Sequence, residues 1–390
     1  MLVYSFYESD SRVRMYGDAL QRHGHDVDVI CLRKTGEEKR GELNNVQIYR
    51  IQERDYNEKG KLDYFFRLMI FLFKSAIMVT RLHLKKRYSV IHVHSVPDYE
   101  VFAAIIPKLL GAKIILDIHD IVPEFFASKF KVPMNSLIPR VLIRIERLCC
   151  AFSNHVIIAN DIWYDRITKR SLKKEKCTSI INYPDPHLFN TNVLKETNAK
   201  KVFMYPGTIN AHQGVDIAVK AFALAKDQLA DAEFHIYGKG PELNNILNLI
   251  KDLNLEQVVF YKGWLSTDQI LLKMASAFCA VVPKRSDDFG DEAFSTKIME
   301  FMALGVPIIA SNTRIDKYYF NDTLIQFFES GNEKDLSNKM SLIFQNPTVR
   351  QTAITNGLKF IEENNWDVKQ QLYFDIVNSF QARTAAAGKP

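Results

Sequence analysis

Two glutamates with seven residues between them carry the clearest chemical signal in the sequence. Glu292 lies in a short loop, and Glu300 follows in a segment that has no glycine or proline before Gly305. Ser295 and Thr296 favour a helix start, so Glu300 is expected about one and a half turns into that helix. The unpaired N–H groups at a helix start bind anions such as a diphosphate. The segment therefore predicts a ligand with a central diphosphate and a hydroxyl-rich group at each end, within reach of both carboxylates.

Alternating short strands and helices are predicted in both halves of the 390-residue chain. Apolar runs rich in β-branched and aromatic residues recur, and the segments between them have helical periodicity. This pattern predicts an α/β fold with two parallel sheets flanked by helices, whose ligands bind at the carboxyl ends of strands. The polar stretch with prolines after Tyr183 is the predicted linker. The predicted boundaries are 1–183 for the N-terminal domain, 184–200 for the linker, 201–364 for the C-terminal domain and 365–390 for a terminal helix and tail.

The charge of the chain is unevenly distributed. Residues 1–185 hold 30 Lys and Arg against 22 Asp and Glu, a net charge of +8, whereas the remainder holds 21 against 23, a net charge of −2. A basic N-terminal half favours an anionic partner, which is a membrane surface, a lipid diphosphate or a nucleic acid, although an ordinary solvated surface gives the same count. Because no nucleic-acid recognition motif is present, nucleic acid is not an expected partner.

The cysteines and the first ten residues favour a cytoplasmic protein. The five cysteines, at positions 31, 149, 150, 177 and 279, have neither metal-binding nor redox spacing, so reduced and partly buried thiols are expected. The start MLVYSFYESD has no basic region, apolar core or cleavage site of an export signal. The expected location is the cytoplasm, with a peripheral position on the inner face of the plasma membrane as an option.

Residues 62–84 predict a helix with a broad apolar face. Arg67, Lys74 and Arg81 recur every seven residues and therefore lie on one stripe of that helix. Such a helix either packs on the sheet or lies in a membrane interface, and the basic residues 85–87 at its end favour an anionic surface. Packing on the sheet is the preferred interpretation.

The segment with the paired glutamates resembles the corresponding motif of the retaining glycosyltransferases of family 4. Other segments are similar in the same order, from about residue 3 to the tail. They are Asp10-Ser-Arg-Val-Arg14, Gly24-His-Asp-Val-Asp-Val-Ile30, Asp117-Ile-His-Asp120, the loop from Tyr205 to Asp216, Phe234-His-Ile-Tyr-Gly-Lys-Gly-Pro-Glu242 and Val259-Phe-Tyr-Lys-Gly-Trp-Leu265. The resemblance implies a GT-B fold, in which two Rossmann-like domains face each other across a cleft and a terminal helix crosses back to the N-domain.

The resemblance also implies roles for individual residues. Glu292 is expected to bind hydroxyls of the donor sugar, and Glu300 is expected to bind those of the ribose. His119 is expected to contact the sugar near the reacting carbon, with Asp120 and Glu124 orienting it or the acceptor hydroxyl. The other residues expected at the nucleotide sugar are Gly207, Thr208, Gln213, Gly214, Gly238, Lys239, Gly240, Trp264, Leu265, Arg285, Phe294, Ser295 and Thr296. Arg12 and Arg14, with Asp120 and Glu124, are the residues expected at the acceptor.

The loop after Gly207 departs from the family pattern. The family usually has arginine and lysine at the positions that Thr208 and Gln213 occupy here, and both neutralise the diphosphate. A leaving diphosphate still needs a positive charge as the bond breaks. Lys297, in the first turn of the predicted helix, is the best substitute, although a cation at that position opposes the helix dipole. Lys284, Arg285, Arg12 and Arg14 are the next candidates.

The expected activity is the transfer of a sugar from a UDP- or GDP-sugar to an acceptor, with retention and without a metal or other cofactor. The expected acceptor is a lipid-linked saccharide in cell-envelope or capsule polysaccharide synthesis. The alternatives are a soluble acceptor, a nucleotide-sugar 2-epimerase and a catalytically inert sugar-nucleotide binder. The acidic loop from Ser286 to Asp291 resembles a metal site, but loops are often acidic and the family needs no metal. His92 and His94 are interpreted as structural.

Overall fold

The computed structural model describes residues 1–54, 61–287 and 289–387. Asp288, a member of the acidic loop, lies outside these ranges. The chain forms two compact units, one made of Met1–Asn182 with the segment from Gln370 onward, and the other made of Tyr183–Lys369. Residues 184–200 contain neither helix nor strand. Both units are α/β, as the sequence predicts.

The first unit contains an eight-stranded sheet among its described residues, in the order β3-β4-β2-β1-β5-β6-β7-β8. All neighbouring strands are parallel except β3 and β4. The strands are β1 (Leu2–Val3), β2 (Asp28–Arg33), β3 (Arg40–Leu43), β4 (Val46–Glu53), β5 (Val90–His94), β6 (Lys113–Ile118), β7 (His155–Ile158) and β8 (Cys177–Ser179). The helices are α1 (Ser11–Arg22), α2 (Lys61–Lys86), α3 (Ile105–Leu109), α4 (Val122–Phe130), α5 (Leu137–Phe152) and α6 (Asp161–Arg170).

The second unit contains a six-stranded parallel sheet in the described part of the chain, in the order β11-β10-β9-β12-β13-β14. The strands are β9 (Lys201–Pro206), β10 (Ala232–Tyr237), β11 (Val259–Tyr261), β12 (Cys279–Val282), β13 (Ile308–Ser311) and β14 (Gln326–Phe328). The helices are α7 (Val215–Ala225), α8 (Leu243–Asp252), α9 (Thr267–Ala275), α10 (Thr296–Ala303), α11 (Arg314–Tyr319), α12 (Glu333–Gln345) and α13 (Pro347–Glu363). The last helix, α14 (Trp366–Ala387), belongs to the first unit from Gln370 onward.

The strand order of each sheet determines where a ligand fits. In the second unit the chain proceeds from β9 outward to β11 and then returns to β12 on the other side of β9. In the first unit the same reversal separates β1 from β5. A parallel sheet has its binding crevice at the carboxyl ends of the strands where the order reverses. The residues that follow β5, β6, β9, β10 and β12 are therefore placed for function.

The helix predicted from the paired-glutamate segment is α10. Ser295 is its N-cap residue, and the helix runs from Thr296 to Ala303. Gly305, with φ of +67°, ends it, because its N–H donates to the Met302 carbonyl oxygen from a left-handed conformation that glycine adopts without strain. β13 follows, as predicted from the apolar run at 308–311.

Helix α2 packs on the first unit through one face. Leu68, Phe71 and Val79 are buried, together with Ser75 and His83. Lys74 and Arg81 are exposed, which agrees with a charged stripe on a packed helix. Among the helices of the described residues, none has both the length and the apolarity that crossing a bilayer requires.

Candidate functional site

A cavity of about 420 Å³ opens at the carboxyl ends of β9 and β10 in the second unit. It is lined by residues from four separate segments of the chain, which include the loops after β9, β10 and β11 and the start of α10. Nine residues that the sequence predicts at the nucleotide sugar meet here, namely Gly207, Thr208, Gly238, Lys239, Trp264, Leu265, Thr296, Lys297 and Glu300. Tyr237, Ile270 and Met274 complete the wall, together with Pro206.

Two glycines allow these segments to approach one another. Gly207 and Gly238 have φ of +143° and +138°, which side chains rarely permit. A Cβ on Gly238 would overlap the carbonyl oxygen of Gly207, and a Cβ on Gly207 would overlap the side chain of Lys297. The absence of side chains at both positions therefore brings the loops after β9 and β10 together and lets Lys297 cross the backbone at Gly207.

Lys297 places a cation on the cavity wall. Its Nζ lies 5.6 Å from the centre of the Tyr205 ring. Burial lowers the pKa of the Lys297 ammonium, and the charge of Lys284 adds to that effect, while Glu300 opposes it. Burial likewise raises the pKa of Glu300, and the charge of Lys297 opposes that rise. The two side chains are half-buried and both line the cavity, so an incoming polar ligand can reach them.

The other candidate cations of the second unit have protein partners. Lys284 is 2% exposed, and its Nζ donates to the Ala293 carbonyl oxygen at 2.6 Å and lies 3.1 Å from the Asp316 carboxylate. Arg285 holds the Asp216 carboxylate through two hydrogen bonds of 2.9 and 2.7 Å. Neither residue lines the cavity, so Lys297 is the better placed substitute among these three.

Glu292 is buried, and a partner that sequence reasoning missed holds it. Arg314, at the start of α11, donates from Nη1 to Glu292 Oε1 at 2.9 Å. The side chain of Arg314 is 62% exposed, whereas that of Glu292 is 9% exposed. No local sequence pattern indicated this pair, because β13 lies between the two residues in the sequence and only the folded chain brings them together. Glu292 does not line the 420 Å³ cavity.

The acidic loop before Glu292 uses its carboxylates for its own structure. Asp287 accepts hydrogen bonds from the N–H groups of Phe289 and Gly290. Asp291 accepts from Ser286 Oγ at 2.6 Å and from the N–H of Arg314 at 2.9 Å. These contacts join the loop to the start of α11 and give the carboxylates of Asp287 and Asp291 partners within the protein.

The remaining predicted residues of this unit shape the loops around the cavity. Gln213 ends a short 3₁₀ helix, and Gly214, with φ of +66°, leads into α7. Gly240 lies against the backbone of Ile209, and a Cβ there would overlap it. Phe294 packs against Tyr319 and Phe320. None of these residues, nor Ser295, is in the lining of the cavity as the structure describes it.

A second cluster lies at the carboxyl ends of β5 and β6 in the first unit. Its centre is the fully buried Asp117. The Asp117 carboxylate accepts from His119 Nε2 at 3.1 Å, lies 3.2 Å from His94 Nδ1, and accepts from Arg12 Nε and Nη2 at 2.8 and 2.7 Å. Although burial alone would raise it, the charges of Arg12 and His119 hold the pKa of Asp117 well below its ordinary range. Burial lowers the pKa of His94 to about 4, so this imidazole is neutral near pH 7.

The structure corrects the expectations for two charged residues of the first unit. Arg12 is 5% exposed, and its guanidinium is fully engaged by Asp117 and Asn182, so it does not offer a cation to an acceptor. Glu124 is held by Arg170 and lies 3.6 Å from Arg166, so its carboxylate is committed elsewhere.

The carboxylate that binds His119 is Asp117, rather than Asp120 or Glu124. The sequence indicated this pair, because the side chains of residues i and i+2 of a strand point to the same face. Burial raises the pKa of Asp120, and the charge of His119 opposes this rise, so Asp120 lies near the same imidazole. No hydrogen bond between Asp120 and His119 is among those of the described residues. Arg14 donates to the carbonyl oxygen of Glu8 at 3.3 Å.

His92 and His94 are buried and have structural partners, as expected. His92 Nδ1 lies 3.0 Å from Tyr373 Oη in α14. In the described part of the chain, these two histidines and Asp117 present ligand atoms within 4.8 Å of one another, a spacing that suits a metal ion. The Arg12 guanidinium occupies both oxygens of Asp117, however, and its charge would repel a cation. The cluster is better described as a hydrogen-bonded network around one carboxylate.

Comparison with known proteins gives consistent matches over nearly the whole chain. The family described as "Glycosyl transferase 4-like domain" matches residues 9–182, and the family described as "Glycosyl transferases group 1" matches residues 189–360. An uncharacterized glycosyltransferase of Methanocaldococcus jannaschii, MJ1178, is 26% identical over 310 residues, which cover 73% of this chain and 83% of that protein. The O-antigen biosynthesis glycosyltransferase WclY of Escherichia coli is 24% identical over 287 residues, which cover 67% and 75%.

Solved structures show the same arrangement of elements. Sucrose-phosphate synthase from Thermosynechococcus elongatus superimposes with a TM-score of 0.76 at 17% identity and covers 97% of this chain and 99% of its own. Anabaena HepE in complex with UDP-glucose has a TM-score of 0.70 at 14% identity, and the match covers 97% and 99% of the two chains. At these identities the likeness establishes the fold.

Proposed function

Because this chain belongs to the glycosyl transferases of group 1 and has their GT-B fold of two Rossmann-like domains, we propose that it transfers a sugar, with retention, from a nucleotide diphosphate to a lipid-linked saccharide. The observation that carries the proposal is the cavity at the ends of β9 and β10. It brings Gly207, Gly238, Lys297 and Glu300 together at the switch point of the sheet. These are the groups that a sugar nucleotide requires, because they supply close backbone approach, a cation and a carboxylate.

The donor lies with its diphosphate at the start of α10. The N–H groups of the first turn and the Lys297 ammonium neutralise the phosphates. Glu300, farther along α10, binds the ribose hydroxyls, and Trp264 and Leu265 border the base. HepE, which shares this fold, was solved with UDP-glucose bound, which supports a UDP-sugar as the first donor to test, with GDP-sugars next.

The transfer requires stabilisation of the leaving diphosphate. In a same-face substitution the acceptor oxygen attacks the anomeric carbon, the bond to the phosphate oxygen breaks, and that phosphate takes the acceptor proton. Lys297 supplies the charge that stabilises the departing oxygen, so no metal is required. Glu292, which Arg314 orients, binds hydroxyls of the donor sugar. In the first unit, Asp117 orients His119, the residue that the family resemblance assigns to the donor sugar.

The acceptor is a saccharide carried on a lipid in cell-envelope or capsule polysaccharide synthesis. WclY acts in O-antigen biosynthesis, which supports a polysaccharide pathway. The net charge of +8 on residues 1–185 supports an anionic carrier such as a lipid diphosphate, and peripheral contact with the membrane that contains it. A soluble acceptor is the second candidate, and it predicts turnover without lipid.

The decisive experiment is a ligand panel followed by turnover. UDP, GDP and their common sugars are tested by thermal shift, in which a ligand at a hundred times its Kd adds about 2.7 kcal/mol of stability. A nucleotide that stabilises the wild type but not Glu300→Gln locates the site. Release of nucleoside diphosphate from the matching donor then distinguishes an enzyme from an inert binder, which would bind the donor without cleaving it. No stabilisation by any nucleotide would refute the proposal.

A further inference from the structure

Helix α2 has an apolar stripe on the face that points away from the domain. Phe66, Ile70, Phe73, Ile77 and Leu84 are 61%, 47%, 68%, 54% and 55% exposed. Their spacing of four, three, four and seven residues places them on one line along the helix. Large apolar side chains that share one exposed line are unusual on a soluble surface and mark an interaction site.

The fold does not need this stripe. The opposite face of α2 already holds the helix to the domain through Leu68, Phe71 and Val79, which are 7%, 0% and 3% exposed. A helix that is anchored through one face needs only polar residues on the other. The outward residues are therefore available to a partner without a cost in packing.

The short helix α3 extends the apolar surface. It packs against α2, and Ile106, Leu109 and Leu110, at its end, are 50%, 81% and 47% exposed. We call the outward stripe of α2 together with these residues of α3 the α2–α3 face. The two helices are in contact, and each presents large apolar side chains to solvent.

The charges along one flank of α2 are mainly positive, since the one carboxylate of the helix, Asp63 in its first turn, pairs with Arg67. Between Asp63 and Asp98 the sequence has six Lys and Arg residues and neither Asp nor Glu. Lys74, Arg81 and Lys85 are exposed, and at 3.6 residues per turn they lie about 60–100° round the helix from Phe66, all on one flank of the stripe. A helix with an apolar line and a basic flank is suited to lie in the plane of a bilayer, with its apolar line among the acyl chains.

We propose that the α2–α3 face docks on the surface of a membrane that contains anionic lipids. Phe66, Phe73 and Ile77 enter the boundary between headgroups and acyl chains, and Lys74, Arg81 and Lys85 contact lipid phosphates. A second copy of this chain is a poorer occupant, because pairing two such faces would bring several cations together, and the one carboxylate of α2, Asp63, is already paired with Arg67. The docking deepens the proposed function by naming the surface that brings the enzyme to a lipid-linked acceptor, and it rests on that function only for its purpose.

The test is flotation of the whole protein with vesicles. Wild type is expected to float with phosphatidylcholine vesicles that contain about one third phosphatidylglycerol, and to float far less with phosphatidylcholine alone or at high salt. Phe66→Ser/Phe73→Ser/Ile77→Ser is expected to lower partitioning by about tenfold or more, because three large apolar groups no longer leave water. Lys74→Gln/Arg81→Gln/Lys85→Gln is expected to lose about fivefold per charge on anionic vesicles only.

A matched control removes exposed apolar residues elsewhere. Leu194 and Leu224 are 80% and 58% exposed in the second unit, and Leu194→Ser/Leu224→Ser is expected to float like wild type. All variants are expected to keep the wild-type thermal shift with nucleotide, since the donor cavity lies in the second unit. That readout shows that the second unit of each variant is folded, and an unchanged far-UV circular dichroism spectrum shows the same for the first unit.

Three results would overturn the docking proposal. In the first, wild type does not float at low salt. In the second, the face variant and the control variant lose flotation equally. In the third, wild type does not float and the face variant differs from it in solution mass. The last result would make the face a contact between copies. Flotation as expected with no turnover of any donor would instead refute the proposed function alone.

Discussion

Replacement of Lys297 by alanine most directly tests whether Lys297 supplies the positive charge that neutralises the diphosphate. The side chain crosses Gly207, lines the donor cavity and lies beside Glu300, whereas Lys284 and Arg285 are engaged by Asp316 and Asp216. Lys297→Ala therefore removes the cation nearest the predicted phosphates. Loss of one preorganised group of this kind costs roughly 2–4 kcal/mol in the transition state, which is a fall in kcat/KM of about 30- to 1,000-fold.

The cavity offers a matched control for this substitution. Lys239 also lines it, but the Lys239 ammonium lies over the Trp264 ring at 4.7 Å, on the predicted base side. Lys239→Ala is expected to raise KM for the donor with little change in kcat. Lys297→Arg is expected to keep little activity, because a planar guanidinium does not replace a compact ammonium at a phosphate site.

The assay is the initial rate of nucleoside diphosphate release at varied donor concentration, with thermal melting as the check on folding. Near-wild-type kcat/KM for a folded Lys297→Ala would refute the reasoning and would direct attention to Lys284, Arg285 and Arg14. Equal losses in Lys297→Ala and Lys239→Ala would mean that the cavity responds to net charge rather than to one positioned ammonium.

The other predictions concern the carboxylates, the metal and the pH dependence. Glu300→Gln is expected to weaken binding of free nucleoside diphosphate by about 1.5–3 kcal/mol in calorimetry. Glu292→Gln should lower turnover and leave that binding nearly unchanged. Equal losses of binding in the two variants would contradict the division of roles. Activity is expected to survive excess EDTA, and a loss that Mg²⁺ or Mn²⁺ restores would show that the charge on Lys297 is insufficient. Asp117→Asn leaves the buried Arg12 guanidinium without its carboxylate, so a loss of about 3–5 kcal/mol in urea unfolding is expected, and an unchanged stability would contradict the network. Burial lowers the pKa of His94 and of His155 to about 4, so between that value and about pH 6.5 each of these imidazoles holds more protons in the unfolded chain than in the folded one. Each histidine therefore contributes a fall in the free energy of unfolding as pH is lowered through this window, by up to about 1.4 kcal/mol per pH unit, whereas Asp98 and Glu100, whose pKa values burial raises to about 7 and about 8, act in the opposite direction. The free energy of unfolding of His155→Gln should therefore fall less than that of wild type over the same pH range.

The sequence predicted the site in the second unit better than that in the first. The residues of the cavity lie beside glycines and at a helix start, where backbone conformation is determined locally, so their types reveal their positions. The arginine partners of Glu292 and Asp117 depend on neighbouring strands and helices instead. Arg314 follows a strand that intervenes in the sequence, and Arg12 reaches Asp117 across 105 residues, so no local pattern reveals either pair.

The expectation for Arg12 failed for a related physical reason. An arginine near the start of a helix in the N-domain can bind an anion. Nothing in its own segment shows whether that anion is a ligand from solution or a buried carboxylate of the protein. The decisive group is Asp117, whose carboxylate lies at the end of β6 and is inaccessible to solvent. Burial of a carboxylate requires a cation and hydrogen bonds, and Arg12 supplies both.

Thr208, Gln213 and Lys297 all lie close to the side chain of Tyr205. Tyr205 Oη donates to the Thr208 carbonyl oxygen at 2.7 Å and lies 3.3 Å from Gln213 Oε1, while the Lys297 ammonium lies 5.6 Å from the centre of the same ring. A lysine at position 213 would therefore share the surroundings of Tyr205 with Lys297, and two ammonium groups there would repel each other until a diphosphate binds. This geometry leads us to expect Gln213→Lys to lower kcat/KM or leave it unchanged in wild type but to raise it in Lys297→Ala, with rates compared in a double-mutant cycle. Additive effects of the two substitutions would show that the two positions serve different phosphates.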